Sequence, residues 1–273
     1  MDEPLADSSL LPTWFLFQEI QKQGIRCVLS GDGADELFAG YPTYVPHKYL
    51  PSSFRIPDRF SHWIQKLPSS SKGVSWDYML KRYSQSHQKE WWKRHQLWNG
   101  AWFPEELQAG EDIWNIAEEY ALRSGSDRVG RAMFLDQRLY LAEGVLSKVD
   151  RASMAHGIEV RSPFLDQHIV RMAAEIPMQF KLNRHGSKQI LRSLFPALPT
   201  SIRQRPKKGF GSPIAQWLRS DFDYLLDGLD QDLAEWIDPE LLRRIRSEHL
   251  SGKVDHRRRL WTAISLKNWL QRN

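Results

Sequence analysis

The chain has 273 residues, which corresponds to one or two domains and leaves ample length for a hydrophobic core. Hydrophobic residues make up 41% of it and charged residues 26%, proportions typical of a folded globular protein and not of a disordered one. The formal net charge of +5 is too small for a dedicated nucleic-acid binder.

No stretch of the sequence looks like a targeting or membrane segment. The N-terminus is acidic and no long apolar run follows it, so we expect neither a signal peptide nor a transmembrane helix. The single cysteine, Cys27, cannot form an internal disulfide, and no spacing of Cys and His residues predicts a structural zinc site. These features favour a cytoplasmic protein without a membrane partner.

The first predicted elements are a helix and then a strand. Aromatic and aliphatic residues recur at three- and four-residue spacing between Leu11 and Gln23, which predicts a helix that Gly24 ends. Ile25–Leu29 is a short apolar run between two glycines, and it is the clearest strand in the sequence.

The rest of the chain is predicted to be mostly helical. Residues 42–68 are rich in Pro, Ser and aromatic residues, which is typical of loops and short helices. The tryptophans within residues 76–103 are predicted to pack in a core or interface, with base stacking as the alternative. Asp166 predicts the start of a helix that Pro177 ends. An apolar stripe predicts a long amphipathic helix through Leu139, Ala142, Leu146 and Val149.

The stretch that follows the predicted strand carries the most chemical information. It places Ser30 and Gly31 at the carboxyl end of the strand, where parallel α/β sheets bind ligands. Three carboxylates follow at offsets that share one helix face, namely Asp32, Asp35 and Glu36. Such a cluster can hold Mg²⁺, although ordinary turn and helix-start chemistry explains the same residues. Neither a Walker P-loop nor a dinucleotide fingerprint is present, so a mononucleotide site of another kind is left.

Two further stretches concentrate charge. An Arg–carboxylate network that shapes a pocket wall is predicted for Asp150, Arg151, Glu159, Arg161 and Asp166. His156 lies in the same stretch and is predicted to be a packed or surface histidine, not a catalytic base. Lys188 and Lys207 lie beside glycine-rich turns, an arrangement that suits phosphate binding, with a solvated basic loop as the alternative.

In these three stretches the sequence resembles the synthetase domain of the glutamine-dependent asparagine synthetases, which belong to the ATP-pyrophosphatase group of α/β enzymes. The matching segments agree in order and spacing, and they are residues 30–36 with 40–41, residues 148–155 with 159–166, and residues 205–211. The resemblance implies an α/β fold, an ATP-pyrophosphatase-like (adenine nucleotide α-hydrolase-like) synthetase domain that occupies residues 1–273. We expect this domain to be predominantly helical with the remnant of a parallel sheet.

The resemblance also implies a reaction. An aspartate carboxylate would attack the α-phosphorus of ATP to give an acyl-adenylate and pyrophosphate, and ammonia released from glutamine would then displace AMP. In this chain Ser30 and Gly31 would contact AMP, and Asp32 would lie beside the acyl-adenylate. The residues expected to bind Mg²⁺ are Asp35 and Glu36, and those expected to neutralise pyrophosphate are Lys188 and Lys207, of which Lys207 also acts in the chemical step.

Two parts of the family pattern are missing from the sequence. It contains no S-G-G-x-D-S phosphate loop, and no N-terminal glutaminase domain with a cysteine nucleophile. We therefore expect a truncated domain, from a shortened reading frame, a misplaced start or a split enzyme, that is inactive in isolation. Cys27 is expected to be an inert buried thiol, and the sheet is expected to expose an edge.

Several functions and partners stay open at this point. The leading hypothesis is a ligase that makes asparagine, and the alternatives are amidation of another carboxylate or a non-catalytic or split partner subunit of a synthetase. A nucleic-acid-binding module is disfavoured, because the acidic cluster would repel phosphates. The expected partners are small-molecule substrates, a glutaminase domain or subunit in trans, and a second copy in a homodimer.

Overall fold

The computed structural model describes residues 3–51, 54, 56–65, 76–86, 89–108, 114–125, 127–203, 205 and 209–272. In chain order its elements are α1 (Leu10–Lys22), β1 (Cys27–Leu29), α2 (Ala34–Leu37), α3 (Tyr44–Tyr49), α4 (Asp58–Gln65), α5 (Trp76–Ser86), α6 (Trp91–Asn99), α7 (Asn115–Arg123), α8 (Arg128–Leu135), α9 (Ser147–Met154), β2 (Glu159–Arg161), α10 (Gln167–Glu175), α11 (Met178–Lys181), β3 (Leu182–Asn183), β4 (Gly186–Ser187), α12 (Gln189–Leu194), α13 (Thr200–Arg203), α14 (Ile214–Trp217), α15 (Leu229–Asp232), α16 (Pro239–Leu250) and α17 (Arg257–Leu270). A π-helical segment, Asp136–Leu146, joins α8 to α9. The prediction of a mostly helical chain is confirmed.

The chain divides into two compact units. The first consists of residues 1–12, 55–115 and 211–273, and the second of residues 13–54 and 116–210. The predicted site residues from Ser30 to Lys188 belong to the second unit.

The first unit has a continuous apolar core built by its C-terminal helices. Leu226, Leu233 and Leu260 are fully buried in it, together with residues from α14 to α17. Asp238 accepts a hydrogen bond from the backbone N–H of Glu240 and so begins α16. Each helix thus contributes an apolar face to one shared core.

Three tryptophans within residues 76–103 pack against other side chains, as predicted. Trp92 and Trp98 of α6 are buried, and the indole N–H of Trp98 donates a hydrogen bond to the hydroxyl of Ser86 at 3.3 Å. Trp102 lies beneath the guanidinium group of Arg259, 5.3 Å from its carbon. These contacts favour the packing interpretation over base stacking.

The second unit contains the two-stranded parallel sheet. β1 pairs with β2 in the register Cys27↔Glu159 and Leu29↔Arg161. The predicted helix and strand before the site are confirmed as α1 and β1, and Gly24 ends the helix region with a left-handed φ of 73°. Within the described residues no strand pairs with the other edge of β1.

The expected burial of Cys27 is wrong, because this thiol is exposed. Leu29 on the same strand is 75% exposed. Both side chains lie on the face of β1 that the described part of the chain leaves uncovered, since a two-stranded sheet has few neighbours to bury it. The edge of β1 opposite β2 has no partner strand among the described residues, in line with the predicted exposed edge.

The long helix after residue 128 departs from the predicted pattern. Ala142, which belongs to the predicted apolar stripe, is exposed, whereas Leu135 and Leu141 are buried. Residues 136–146 form π-helical turns, whose hydrogen bonds reach five residues along the chain and not four. Each turn therefore holds more residues, and a stripe drawn with α-helical spacing rotates off the core.

A second apolar cluster lies around α2 and α10. Leu37 and Phe38 are buried with Ala173, and Leu165 and Ile169 pack against them. Asp166 accepts a hydrogen bond from the backbone N–H of His168 at 2.8 Å, which confirms its predicted role at the start of α10. This cluster fixes the turn that follows β1.

Candidate functional site

The carboxyl ends of β1 and β2 are tied together by serine residues. The backbone N–H of Ser30 donates to the carbonyl of Arg161 at 2.8 Å and extends the parallel ladder by one residue. The hydroxyls of Ser30 and Ser162 hydrogen-bond each other at 2.8 Å. Ser30 and the exposed Gly31 therefore lie at the end of the strand, where the sequence predicts them.

The chain then turns sharply into α2. Gly33 has a left-handed φ of 87°, and a Cβ atom there would clash with the side chain of Leu165. Glycine is thus required both by the backbone angle and by the close approach. The turn leaves Asp32 half-buried and places Asp35 and Glu36 in the first turn of α2.

Asp35 forms an ion pair with Lys188, which lies 153 residues further along the chain. The Nζ atom of Lys188 is 2.8 Å from the Oδ1 atom of Asp35, and the two side chains are 26% and 14% exposed. A Cβ atom on Gly40 would clash with both Asp35 Oδ1 and Lys188 Cε. The structure therefore brings together two predicted ligand-binding residues, beside a glycine that leaves room for them.

Glu36 has a different environment from Asp35. Its side chain is 1% exposed and accepts a hydrogen bond from the hydroxyl of Tyr41 at 2.6 Å. The pKa of the Glu36 carboxyl is raised, mainly by burial; the hydrogen bond from Tyr41 opposes this shift, and the nearby charges of Asp35 and Asp136 add to it. The side-chain amide of Gln137 donates to the backbone carbonyl of Glu36 at 3.1 Å. Glu36 is therefore enclosed by protein groups.

These environments decide which residues fit a magnesium ion. Within the described ranges, no group of three or more His, Cys, Asp or Glu side chains could hold a metal ion by itself. Mg²⁺ commonly uses one or two carboxylates together with substrate phosphates. The half-buried Asp35 fits that pattern better than Glu36, which is 1% exposed, and the metal-binding role of both residues stays a prediction.

The predicted charged network is not a buried one. Glu159 and Arg161 form an ion pair of 2.8 Å, but both are exposed, as are Asp150 and Asp166. The reason is the strand period, because Glu159 and Arg161 share the face of β2 next to the exposed residues of β1. Arg151 is half-buried, and Asp166 acts in helix capping. These side chains thus do not form a buried network, and their predicted role in a pocket wall stays a prediction.

Two other predicted residues have different outcomes. Lys207 lies outside the described residues, so its role stays a prediction. His156 is buried and its ring contacts Trp14 edge-on at 4.7 Å between ring centres, which confirms it as a packed histidine. Sequence reasoning did not assign roles to Tyr41 and Gln137. Tyr41 could have been suspected from its five-residue distance to Glu36, but nothing in the sequence links Gln137 to α2.

The sequence model of the asparagine synthase family matches residues 1–271, and the chain belongs to this family. A putative glutamine-hydrolysing asparagine synthetase of Mycobacterium tuberculosis is 34% identical over 98% of the chain and 42% of the relative. Glutamine-hydrolysing asparagine synthetase 1 of Bacillus subtilis is 26% identical over 98% of the chain and 44% of the relative. The chain thus spans less than half the length of these curated relatives.

The family fits an ATP-pyrophosphatase-like domain, and ATP is a substrate of the family. Among the described residues, no helix has the length and apolar character needed to cross a bilayer.

Proposed function

We propose that the chain carries part of the ATP site of an enzyme that amidates a carboxylate through an acyl-adenylate, with aspartate as the acceptor. The observation that carries this proposal is the Asp35–Lys188 pair at the carboxyl end of the parallel sheet. It supplies one carboxylate for a phosphate-bound cation and one ammonium for phosphate oxygens. Membership of the asparagine synthase family supports the reaction class.

The proposed reaction has two steps. A carboxylate oxygen of aspartate attacks the α-phosphorus of ATP, and the bond from that phosphorus to the β-phosphate oxygen breaks, which releases pyrophosphate. Ammonia then attacks the acyl carbon of the adenylate, loses a proton and displaces AMP. Both steps depend on orientation and on stabilisation of charge that develops on phosphate.

The residues at the end of β1 would bind and orient the nucleotide. Ser30 and Gly31 offer a hydroxyl and an open backbone to AMP, because no side chain at Gly31 blocks the approach. Asp32 follows directly and would lie beside the acyl-adenylate. Its half-buried carboxylate would orient the reacting groups through hydrogen bonds.

The second group of residues would act on pyrophosphate. Asp35 would hold Mg²⁺, which would neutralise phosphate charge when bound. Lys188 would place its ammonium against the pyrophosphate oxygens, and Lys207 would stabilise the charge that develops during the attack. Glu36 would support this group from its buried position through Tyr41, without contact to the metal.

The source of ammonia and the partners are also part of the proposal. The names of the relatives describe glutamine hydrolysis, and we infer that a glutaminase domain or subunit supplies ammonia in the cytoplasm. A second candidate role is that of a partner subunit in a split synthetase. The edge of β1 that no described strand pairs with supports it, because another polypeptide strand could complete the sheet there.

The test measures, by calorimetry, how tightly the purified chain binds magnesium pyrophosphate. We expect Asp35→Asn to weaken binding at least about tenfold, since one carboxylate ligand of a metal is lost. The matched control is Asp166→Asn, because Asn also caps helices well and the fold should persist. Unchanged binding by the Asp35 variant would remove the metal assignment.

A further inference from the structure

The ion pair between Asp35 and Lys188 is sheltered from solvent, in contrast to an exposed ion pair of the same unit. In the same unit the pair Lys22–Glu19 has side chains that are 60% and 62% exposed, against 26% and 14% for Lys188 and Asp35. Shelter from water strengthens the attraction between opposite charges and weakens screening by salt. The ammonium of Lys188 is therefore held at the carboxylate of Asp35.

The backbone around the pair is shaped to this contact. Lys188 has a left-handed φ of 53°, a conformation that is unfavourable for a residue with a Cβ atom. It immediately precedes α12, whose residue Arg192 donates its backbone N–H to the carbonyl of Lys188 at 3.0 Å. Gly40 supplies the space on the other side of the contact. The ion pair thus lies between a strained backbone at Lys188 and a glycine, Gly40, that makes room for both side chains.

The ammonium of Lys188 lies against the carboxylate that would bind a cation. Lys188 Nζ is 2.8 Å from Asp35 Oδ1, so the lysine would compete with a metal ion for that oxygen. We propose that Lys188 is a placeholder for the cation: without ligand it neutralises Asp35, and it moves to phosphate oxygens when a metal–pyrophosphate group arrives. This inference rests on the proposed function, since it assigns the regulation of that same site.

Exchange of the Lys188 ammonium for a metal ion keeps a positive charge beside Asp35 at all times. A sheltered carboxylate without a positive partner is unfavourable, and here Asp35 has one in both states. The lysine also makes metal and phosphate binding depend on each other, because its ammonium leaves Asp35 more readily when phosphate oxygens accept it. By thermodynamic linkage, bound phosphate must then raise the affinity for the metal.

The test compares two probes that respond in opposite directions. Mn²⁺ alone and Mn²⁺ with inorganic pyrophosphate are titrated into the full chain, with free Mn²⁺ followed by electron paramagnetic resonance. We expect Lys188→Met to bind Mn²⁺ alone about fivefold more tightly, which corresponds to about 1 kcal/mol, because the competing ammonium is gone. The same variant should bind pyrophosphate more weakly, because an ammonium that contacts phosphate is lost.

Two further variants separate this effect from a change in folding. Lys188→Gly also removes the ammonium, and glycine accepts the left-handed conformation, so this variant should fold at least as well as the parent chain. Lys22→Met removes an exposed lysine of the same unit and should change neither titration.

The outcomes distinguish the placeholder from the proposed function. Tighter Mn²⁺ binding together with weaker pyrophosphate binding in both Lys188 variants supports the inference. Mn²⁺ affinity that stays equal or falls in both variants overturns it, and the proposed function survives if pyrophosphate binding still depends on Asp35. If Asp35→Asn binds Mn²⁺ with pyrophosphate as tightly as the parent chain, the metal assignment in the proposed function fails.

Discussion

Apolar side chains are buried in the C-terminal helices of the first unit and exposed in the strand region of the second unit. Leu260 of α17 is 0% exposed in a core that several helices share, whereas Leu29 of β1 is 75% exposed. Phe15 and Leu16 of α1 are also exposed. The same residue types are thus buried in one region and presented to solvent in the other.

The difference follows from what each element needs. A helix satisfies its backbone hydrogen bonds internally and needs only a cover for its apolar face. A strand satisfies its backbone groups through neighbouring strands, and among the described residues β1 has one neighbour, β2. The candidate site lies at the end of this less complete sheet, so its stability depends on local devices such as the serine contact between Ser30 and Ser162.

The strongest test of this comparison is one chemical change at two positions. Leu260→Ala should lower the free energy of unfolding by about 3 kcal/mol, because it opens a cavity in a packed core. Leu29→Ala should change it by less than about 0.5 kcal/mol, because an exposed side chain loses little on truncation. Urea denaturation of the two variants measures both values.

The same experiment can break the comparison. A large cost for Leu29→Ala that grows with protein concentration would show that a second copy covers this face of β1 in solution. That result would support the predicted homodimer, and it would mean that the strand region is completed by association.

The next largest expected effect is the pH dependence of stability that a buried histidine causes. His249 of α16 is fully buried and accepts a hydrogen bond at Nδ1 from the backbone N–H of His256 at 3.1 Å. Burial is the main cause that lowers its pKa from 6.5 to about 4; the charge of Arg219 lowers it further, and that of Asp255 opposes the shift. The folded first unit therefore favours the neutral form of the His249 imidazole.

The sign of the pH effect follows from this shift. Between pH 6.5 and about 4 the unfolded chain binds a proton that folded His249 does not, so stability falls as the pH falls through this window. The loss should reach about 2–3 kcal/mol. Urea denaturation at several pH values should show a shallower dependence in His249→Gln, while His168→Gln, at an exposed position of the second unit, should keep the slope of the parent chain. An unchanged slope in the His249 variant would contradict the assignment.

The sequence predicts features that depend on residues close together in the chain better than features that depend on distant residues. The strand before Ser30 and the cap at Asp166 are local, and both are predicted correctly. The π-helical segment is missed, because three- and four-residue spacing of apolar residues does not distinguish it from an α-helix.

The candidate site shows the same limit. The residue types and their position after β1 are predictable, since a strand end and adjacent glycines specify them locally. The pairing of Asp35 with Lys188 is not, because no spacing relates residues 153 positions apart. The enclosure of Glu36 by Tyr41 and Gln137 likewise depends on packing that no short motif encodes. The exposure of the charges on β2 is likewise not predictable, because their number alone does not reveal which face of the strand is covered.

The smallest expected effect is a difference in coupling energy between two ion pairs. In the first unit Arg259 donates through Nη2 to both carboxylate oxygens of Glu106, at 2.8 and 2.7 Å, and both side chains are largely sheltered. The backbone N–H of Phe103 donates to the same carboxylate at 3.0 Å. In the second unit the pair Arg161–Glu159 lies open to solvent.

Double-mutant cycles should separate the two pairs. The cycle of Arg259→Met with Glu106→Gln should give a coupling energy of about 1–2 kcal/mol, because sheltered charge-assisted hydrogen bonds are strong. The cycle of Arg161→Met with Glu159→Gln should give no coupling above the measurement error, because water competes for both groups. Raising the salt concentration should leave the first coupling nearly unchanged, since ions do not reach a sheltered pair easily. Equal couplings in the two cycles would show that exposure does not set the strength of these ion pairs, and the contrast between the helical core and the open sheet would then apply to apolar side chains alone.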